Sequence, residues 1–311
     1  MHAPRHYSRR EVLAIGASIG AAAALPFASS FAAASPVLSR PIPRTGERLP
    51  VVGLGTAIVF DIGEDAARRA ERGAVIRALV EGGGRLIDTA PSYGTAEDVL
   101  GDLLSAMGAR DKVFLATKVR ATSRDESIAE MRQSLRRLRT GKVDLMQLHN
   151  VGDAATDLRA LKGWQQEGFT RYVGITHFQS GAYDRLAQVI RREKPEFVQL
   201  NYSLAERSAE ERLLPLAADT GTAVLVNLPF GRGRLFSAVR GKPLPDWAKE
   251  FDATSWAQFF LKYLLGNEAV TCVIPGTDKA VYMVDNLGAG RGRLPDQAMR
   301  KRMAGFWQSL G

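Results

Sequence analysis

The stretch from residue 85 to residue 118, RLIDTAPSYGTAEDVLGDLLSAMGARDKVFLATK, contains one complete structural repeat. Its two ends, Arg85–Asp88 and Val113–Lys118, are apolar over most of their length, which is typical of parallel strands covered by helices. Residues 97–107 have the periodicity of an amphipathic helix and are followed by Gly108, a common helix stop. This order of strand, helix and strand predicts a parallel β-α-β unit.

The same unit recurs along the rest of the chain. Further strands are predicted at Val51–Thr56, Val143–His149, Tyr172–Thr176, Phe197–Asn201, Ala223–Asn227 and Val270–Pro275. Amphipathic helices are predicted between strands, for example at Ala66–Val80, Asp125–Arg139, Ala182–Arg192 and Ala209–Ala218. Eight strands, each followed by a helix, predict the α/β class and a parallel eight-stranded (β/α)8 TIM barrel. A short N-terminal hairpin is predicted at Thr45–Pro50, over the bottom of the barrel.

A doubly wound open sheet is the competing architecture. It would need a glycine-rich dinucleotide motif after an early strand, and Gly53-Leu54-Gly55 lacks the third glycine before a helix. The composition, 45% hydrophobic and 24% charged, is that of a globular protein with a sizeable core. No domain boundary is predicted between Val51 and Leu310. The barrel is therefore favoured.

The first 34 residues are read as an export signal. Arg9 and Arg10 precede a weakly apolar run from Ala14 to Phe31, and Ala32-Ala33-Ala34 offers the small residues that a signal peptidase accepts. This pattern predicts a twin-arginine signal peptide at 1–34 and a barrel domain at 35–311. The twin-arginine export machinery would deliver the protein to the periplasm or the medium, with no stable membrane association after cleavage.

Two other interpretations of this segment stay open. A transmembrane anchor is one, although Gly16, Gly20 and Pro26 interrupt a run that is barely long enough to span. The other is a chance apolar N-terminus on a cytoplasmic protein.

Charge and cysteine content restrict the function classes. The formal net charge is +9, but the basic residues are scattered over the predicted helices and no nucleic-acid motif occurs, so solvated helix faces are favoured and no nucleic-acid partner is expected. Cys272 is the single cysteine and lies in an apolar run, which favours a core residue. His149 and His177 have no companions with metal-ligand spacing, so no metal site is expected.

Four chemically active residues follow or end neighbouring strands. Asp88 ends the second predicted strand and Tyr93 follows it, while Lys118 and His149 end the third and fourth strands. In a parallel barrel the carboxyl ends of the strands face a common site, so these four side chains are expected to converge.

This set suits the reduction of a carbonyl group. Hydride transfer to the carbonyl carbon leaves negative charge on oxygen, which must be protonated or hydrogen-bonded as it forms. Tyr93 would give the proton, and a nearby ammonium from Lys118 would ease its loss. Asp88 would hold Lys118 charged and in place. His149 would donate a hydrogen bond to the carbonyl oxygen or carry a proton itself.

These residues resemble the Asp–Tyr–Lys–His tetrad of the aldo-keto reductases. The motif Leu86-Ile-Asp-Thr-Ala-Pro-Ser-Tyr-Gly94, the pair Thr117-Lys118 and the run Gln147-Leu-His149 occur in the order of that family. The resemblance extends from about Pro50 to Asp296. It implies an NAD(P)H-dependent oxidoreductase that reduces aldehydes or ketones to alcohols, or runs the reverse reaction, with a tyrosine as general acid.

The resemblance also implies a set of residues that hold the nicotinamide nucleotide. The family's Gly-x-Ser-Asn corresponds to Gly174-Ile-Thr-His177, so Thr176 keeps a hydroxyl contact, and His177 is either a donor or a core-edge residue. Asn227 stands where an aromatic ring often stacks on the nicotinamide, and Phe230 is the candidate for partial compensation. The complete expected set is Gly55, Thr56, Asp88, Thr176, His177, Gln199, Asn227, Leu228, Pro229, Phe230, Gly231, Gly233, Gly276, Thr277, Lys279, Asp285 and Asn286.

The residues expected near the 2′-phosphate distinguish NADP(H) from NAD(H). Gly276 and Tyr282 stand where many members of the family have a lysine and an arginine that clamp the 2′-phosphate. Thr277 and Lys279 could replace those contacts, so NADP(H) is favoured and NAD(H) stays open. Asp285 and Asn286 match residues that contact adenine.

Substrate and reaction direction are not decided by these residues. Ile58, Val59 and Phe60 are expected to line an apolar pocket beside Tyr93, with aliphatic or aromatic aldehydes and ketones as the default class. A different class of function is a non-catalytic NADP(H)-binding sensor or regulatory subunit, which would bind the nucleotide without turnover.

Overall fold

The computed structural model describes residues 35–120, 123–152 and 158–310. The segment interpreted as an export signal, residues 1–34, lies outside the described residues. No helix within the described ranges has both the length and the apolar character needed to cross a bilayer.

A two-stranded hairpin precedes an eight-stranded parallel sheet. In the hairpin, β1 (Ser39–Pro41) pairs antiparallel with β2 (Arg48–Pro50). The strands of the sheet follow one another in chain order and are β3 (Leu54–Gly55), β4 (Leu86–Asp88), β5 (Phe114–Arg120), β6 (Val143–His149), β7 (Thr170–His177), β8 (Phe197–Asn201), β9 (Ala223–Asn227) and β10 (Val270–Val273).

Two parallel bridges connect the first and last strands of the sheet. Val52 pairs with Val273 and Gly55 with Gly276. The backbone N–H of Gly53 also donates to the carbonyl of Val273 at 2.9 Å. The predicted (β/α)8 barrel is therefore confirmed.

The described residues place helices between the strands and after the last strand, on the outside of the barrel. They are α1 (Ala66–Glu81), α2 (Ala96–Ala106), α3 (Arg124–Arg137), α4 (Arg159–Gln166), α5 (Tyr183–Glu193), α6 (Leu213–Thr220), α7 (Arg234–Ala238), α8 (Trp256–Leu265), α9 (Ala280–Gly288) and α10 (Gln297–Gln308).

Three predicted boundaries were wrong by three or more residues. The hairpin is not confined to Thr45–Pro50, because its first strand lies before the turn, where the carbonyl of Glu47 accepts from Ile42 N at 2.8 Å. The first barrel strand is only Leu54–Gly55, since Val52 makes an isolated bridge. The helix predicted at Ala209–Ala218 begins at Leu213, after a 3-10 turn.

The barrel interior changes from apolar to polar along each strand. Alternate strand residues point to the same face, so every second position faces the barrel axis. Towards the bottom, these positions and two hairpin residues form one buried apolar cluster, which comprises Ile42, Leu49, Leu86, Phe114, Ala116, Leu145, Tyr172, Phe197, Ala223, Leu225, Cys272 and Ile274. The next positions on the same face are Asp88, Lys118, Gln147, Thr176, Gln199 and Asn227.

The structure confirms that Cys272 is a core residue. Its side chain is fully buried in this lower cluster, and burial raises the pKa of the thiol. A reactive thiolate needs the opposite environment.

Candidate active site

A buried ion pair lies at the centre of the polar layer. Lys118 Nζ donates to Asp88 Oδ2 at 2.6 Å and to the carbonyl of Thr89 at 2.8 Å, which confirms the pairing expected from the sequence. Burial alone lowers the pKa of Lys118, but the facing Asp88 carboxylate and Tyr93 more than offset this, so its pKa lies above the ordinary value. Lys118 therefore carries a full positive charge inside the barrel mouth.

Tyr93 and His149 lie around this ammonium group. Tyr93 sits in the turn between β4 and α2, and Lys118 Nζ lies 4.7 Å from the centroid of its ring. The rings of Tyr93 and His149 meet edge to face with their centroids 6.0 Å apart. The four residues predicted to converge are thus brought together at the carboxyl end of the barrel strands.

His149 is a neutral imidazole in this setting. Burial, together with the positive charges of Lys118 and Arg120, lowers its pKa to about 3. At neutral pH the ring can donate one hydrogen bond and accept another. Of the two roles expected from the sequence, the geometry and charge favour the hydrogen-bond donor over the proton carrier.

A chain of side-chain amides runs from Asp88 across the barrel. Asp88 Oδ1 accepts from Gln147 Nε2 at 2.9 Å and from Gln199 Nε2 at 2.8 Å. Gln199 Oε1 then accepts from Thr176 Oγ1 and from Asn227 Nδ2, both at 3.3 Å. Five strands, β4 and β6 to β9, contribute to this network.

The direction of these hydrogen bonds is set by the carboxylate. Because Asp88 Oδ1 only accepts, both glutamines must present their N–H groups to it, and Gln199 Oε1 is left as an acceptor on the far side. Asn227 must then offer its N–H group to Gln199. Its own oxygen, Oδ1, is buried and has no donor within the described residues. A buried acceptor without a partner is costly in a native structure, so this atom is suited to a ligand that carries an N–H group.

His177 is oriented by the chain that follows it. Its Nδ1 accepts from the backbone N–H of Gln179 at 3.1 Å, which leaves the proton of the neutral ring on Nε2. Burial and the charge of Arg185 lower the pKa of this ring. Phe178 stacks on it with ring centroids 5.7 Å apart. His177 is therefore a core-edge residue that still has one donor.

The first strand and the last strand meet at one side of the mouth. Thr56 is fully buried, and its N–H and its hydroxyl both donate to the carbonyl of Asp88 at 3.0 Å. Gly55 lies against the residues that follow β10, where an added Cβ would be 2.8 Å from the carbonyl oxygen of Ile274. Gly276 is exposed, whereas Thr277 beside it is buried. Gly55 and Thr56 therefore shape the mouth through contacts with the backbone carbonyls of Ile274 and Asp88.

The loop after β9 has a run of left-handed residues. Leu228 has φ 49°, and Gly231, Arg232 and Gly233 have φ 55°, 56° and 86°. Pro229 is buried between these two turns. Phe230 packs against Phe236 with ring centroids 4.8 Å apart, so it belongs to an aromatic cluster rather than standing free.

The remaining expected residues lie on or just before α9. Lys279 is exposed, with Nζ 5.9 Å from the ring centroid of Tyr282. Asp285 is already engaged, because its two oxygens accept from Ser255 Oγ at 2.7 Å and from Gln258 Nε2 at 2.8 Å. Asn286 is buried. This group is separate from the Asp88 network.

Sequence reasoning missed Gln147 as a site residue. It lies two residues before His149 on β6 and bonds directly to Asp88. The alternation of strand residues could have identified it, because Leu145, Gln147 and His149 share one face.

Within the described residues, no group of three or more His, Cys, Asp or Glu side chains could hold a metal ion.

Comparison with known proteins gives one consistent result. The family model described as the aldo/keto reductase family matches residues 51–303. The methylglyoxal reductase YeaE of Escherichia coli (strain K12) is 32% identical over 232 residues, which are 72% of this chain and 80% of that protein. The aldo-keto reductase YhdN of Bacillus subtilis (strain 168) is 31% identical over 226 residues, which are 67% of this chain and 65% of that protein.

Solved structures agree with the sequence relatives. The crystal structure of an aldo-keto reductase from Klebsiella pneumoniae in complex with NADPH is similar with a TM-score of 0.71 and 25% identity, over 84% of this chain and 92% of that one. A second Klebsiella pneumoniae structure, in complex with NADP and acetate, has a TM-score of 0.72 and 26% identity, over 84% of this chain and 93% of that one.

Proposed function

The chain belongs to the aldo-keto reductase family and is an NAD(P)H-dependent oxidoreductase of carbonyl compounds, and we propose that Tyr93 is its general acid. The observation that carries this proposal is the cluster of Tyr93, His149 and the buried Asp88–Lys118 pair at the barrel mouth. The same residues serve alcohol oxidation in the reverse direction.

Each member of the cluster has a distinct role in the proposal. As Tyr93 gives up its proton, the ammonium of Lys118 stabilises the negative charge that develops on the phenolic oxygen. Asp88 keeps Lys118 charged and fixed in place. His149, which is neutral, donates a hydrogen bond that orients the substrate oxygen. Tyr93 and His149 are only half-buried, so a substrate can reach them.

The residues of the mouth fit a nicotinamide nucleotide, which supplies the hydride when bound. The free Oδ1 of Asn227 is an acceptor for the N–H group of a carboxamide, and Thr176 and Gln199 lie within the same network. We assign the loop 228–233 to the pyrophosphate. Asp285 and Asn286 are assigned to adenine.

We propose NADP(H) as the nucleotide. The two Klebsiella pneumoniae structures contain NADPH or NADP, which supports this choice. In this chain, Thr277 and the exposed Lys279 are the residues available for the 2′-phosphate, in place of the family lysine and arginine that Gly276 and Tyr282 replace.

The test is NADPH consumption by the purified protein across a panel of aldehydes and ketones. Methylglyoxal belongs in the panel because the Escherichia coli relative is named a methylglyoxal reductase. Tyr93→Phe is expected to lose about 10³-fold or more of kcat while it still binds NADPH. The matched control is Tyr263→Phe, which removes a phenolic hydroxyl outside the site and is expected to keep wild-type kcat.

Other outcomes would redirect the proposal. Full activity in Tyr93→Phe would refute the assignment of the general acid, even with the family correct. Clear NADPH binding without turnover on any carbonyl or alcohol would favour a nucleotide sensor.

We propose further that residues 1–34 direct export through the twin-arginine machinery. The pair Arg9-Arg10, the weakly apolar run that follows it and the Ala32–Ala34 site support this. The test compares cell fractions of the wild type and of Arg9→Lys/Arg10→Lys, with N-terminal sequencing of the exported form. Export of a chain that begins at Ser35, and its loss in the double variant, are expected. Unchanged export in the variant would contradict the proposal.

A further inference from the structure

The loop from Thr56 to Gly63, which follows β3, contacts the site at two points. At its start, Thr56 donates two hydrogen bonds to the backbone carbonyl of Asp88. Near its end, Asp61 lies against the turn that carries Tyr93. The loop thus spans from one member of the ion pair to the proposed general acid, although none of its side chains belongs to the tetrad.

Asp61 makes three close contacts with the Tyr93 turn. Its Oδ1 accepts from the backbone N–H and from the hydroxyl of Thr95, both at 3.0 Å. Its carboxyl group also lies directly over Gly94, where an added Cβ would be 2.3 Å from Asp61 Cγ. Gly94 has φ 59°, so the turn is left-handed immediately after Tyr93. Asp61 therefore packs on the residue that follows the general acid and bonds to the next one.

Thr95 is placed at the start of a helix but does not cap it. It is the N-cap residue of α2, a position where a threonine hydroxyl usually accepts from a helix N–H. Here the hydroxyl donates to Asp61 and accepts from Gly63 N at 2.9 Å. The usual local bond is replaced by two bonds to the loop after β3, which ties this loop to the turn.

The loop itself is held from the outside by two arginine side chains. Arg72 is buried and donates to the carbonyl of Val59 at 2.6 Å, and Arg69 donates to the carbonyl of Gly63 at 2.7 Å. Ile58 has φ 68°, which is strained for a β-branched residue and persists only where the surroundings enforce it. Asp61 therefore has a fixed position from which to hold the turn.

We infer that Asp61 is a positioning residue that holds the turn of Tyr93, and thereby its phenol, against Lys118 and His149. This inference rests on the proposed role of Tyr93 as general acid. The Tyr93 side chain is half-buried and packs on one side against the core, and the backbone of its turn sets the direction from which it enters the site. The Asp61 carboxylate stays ionised, since its bonds from Thr95 lower its pKa. A displacement of about 1 Å at a reacting group can lower a rate by about a hundredfold.

The experiment compares Asp61→Ala, Asp61→Asn and a matched control in the full chain. The control is Asp65→Ala, which removes an exposed aspartate four residues further along the chain. Asp65 caps α1 by accepting from the N–H of Arg68 at 3.0 Å and does not contact the Tyr93 turn. Asp61→Ala is expected to lower kcat at least tenfold, with KM and the NADPH Kd changed less than about twofold. Asp61→Asn keeps one acceptor oxygen and should restore most of kcat. Asp65→Ala should leave kcat unchanged.

A second measurement does not depend on turnover. The protein is labelled with 3-fluorotyrosine, and the 19F resonance of Tyr93 is assigned from its loss in Tyr93→Phe. This resonance is expected to shift or broaden in Asp61→Ala and to stay unchanged in Asp65→Ala. An unmoved resonance, or wild-type kcat in Asp61→Ala, would overturn the inference. If the wild-type protein turned over no carbonyl, the proposed function would fail while the resonance would still decide the role of Asp61.

Discussion

At the scale of single residues, the site depends on one buried charge. Lys118 is fully buried, and the bond from its ammonium to Asp88 compensates for the loss of water. Burial, together with the same positive charge, lowers the pKa of His149 and keeps its ring neutral. Repulsion between a charged imidazole and this buried ammonium adds to the effect of burial. This arrangement assigns charge to Lys118 and hydrogen bonding to His149.

The neutrality of His149 predicts a pH dependence of stability. The pKa of His149 is about 3 in the folded chain and about 6.5 when unfolded. The unfolded chain therefore binds more protons between these values. The contribution of His149 to the free energy of unfolding is complete above about pH 6.5 and is lost as the pH falls towards about 3. Between pH 7 and pH 4, the free energy of unfolding should fall by roughly 2–3 kcal/mol more in the wild type than in His149→Gln, measured by urea unfolding. Equal pH profiles of the two proteins would show that this ring is not buried beside Lys118.

At the scale of elements, the hairpin closes the end of the barrel opposite the site. Ile42 and Leu49 from the hairpin are fully buried in the apolar cluster inside the barrel. Tyr172 connects the hairpin to β7, because its hydroxyl donates to Glu47 Oε2 at 2.6 Å and lies 3.0 Å from Thr45 Oγ1. The hairpin therefore contributes to stability, while the chemistry lies at the carboxyl ends of the strands.

This division predicts that a substitution in the hairpin lowers the stability of the protein without changing its activity. Leu49→Ala removes a fully buried side chain and should lower the free energy of unfolding by about 2–4 kcal/mol, as measured by urea unfolding. At a temperature where the variant is folded, kcat and the NADPH Kd should equal those of the wild type. The control is Leu38→Ala, which truncates a half-exposed leucine next to β1 and should cost much less. A large loss of kcat in folded Leu49→Ala would show that the bottom of the barrel influences the mouth.

At the scale of the whole molecule, the site is a product of barrel closure. The hydrogen-bond network joins Asp88 on β4 to Asn227 on β9, which are 139 residues apart in the chain by their numbers. The residues assigned to the nucleotide extend further, to Asn286 on α9. A ligand that binds such a site is bound only by the folded chain, so it stabilises the entire barrel.

The assignment of NADP(H) predicts a selective shift in stability. At a free concentration of about 100 times its Kd, NADPH should raise the free energy of unfolding by about 2.7 kcal/mol. Lys279→Ala should weaken NADPH binding by about five- to tenfold, because one charged contact to the 2′-phosphate is lost, and leave NADH binding unchanged. Lys301→Ala on α10 is the control. Thermal unfolding of each variant with NADPH and with NADH measures the stabilisation that each nucleotide gives. An equal effect of Lys279→Ala on the two nucleotides would exclude Lys279 as a 2′-phosphate ligand.

The sequence alone determined the barrel and the convergence of the tetrad. Continuous apolar runs and helical periods are local patterns, and the rule that parallel strand ends share one site then brings Asp88, Lys118 and His149 together. The expected nucleotide residues came from the family resemblance, and their contacts with a ligand stay predictions, as does the export signal in the residues outside the structure.

Only the tertiary structure decided how these residues are held. The bonds from Gln147 to Asp88 and from Thr95 to Asp61 join residues 59 and 34 positions apart. The first hairpin strand, Ser39–Pro41, is also defined by its partner across a turn rather than by its own composition. No local pattern encodes such contacts, because they depend on the stagger of strands around the closed barrel and on how the loops pack at its mouth.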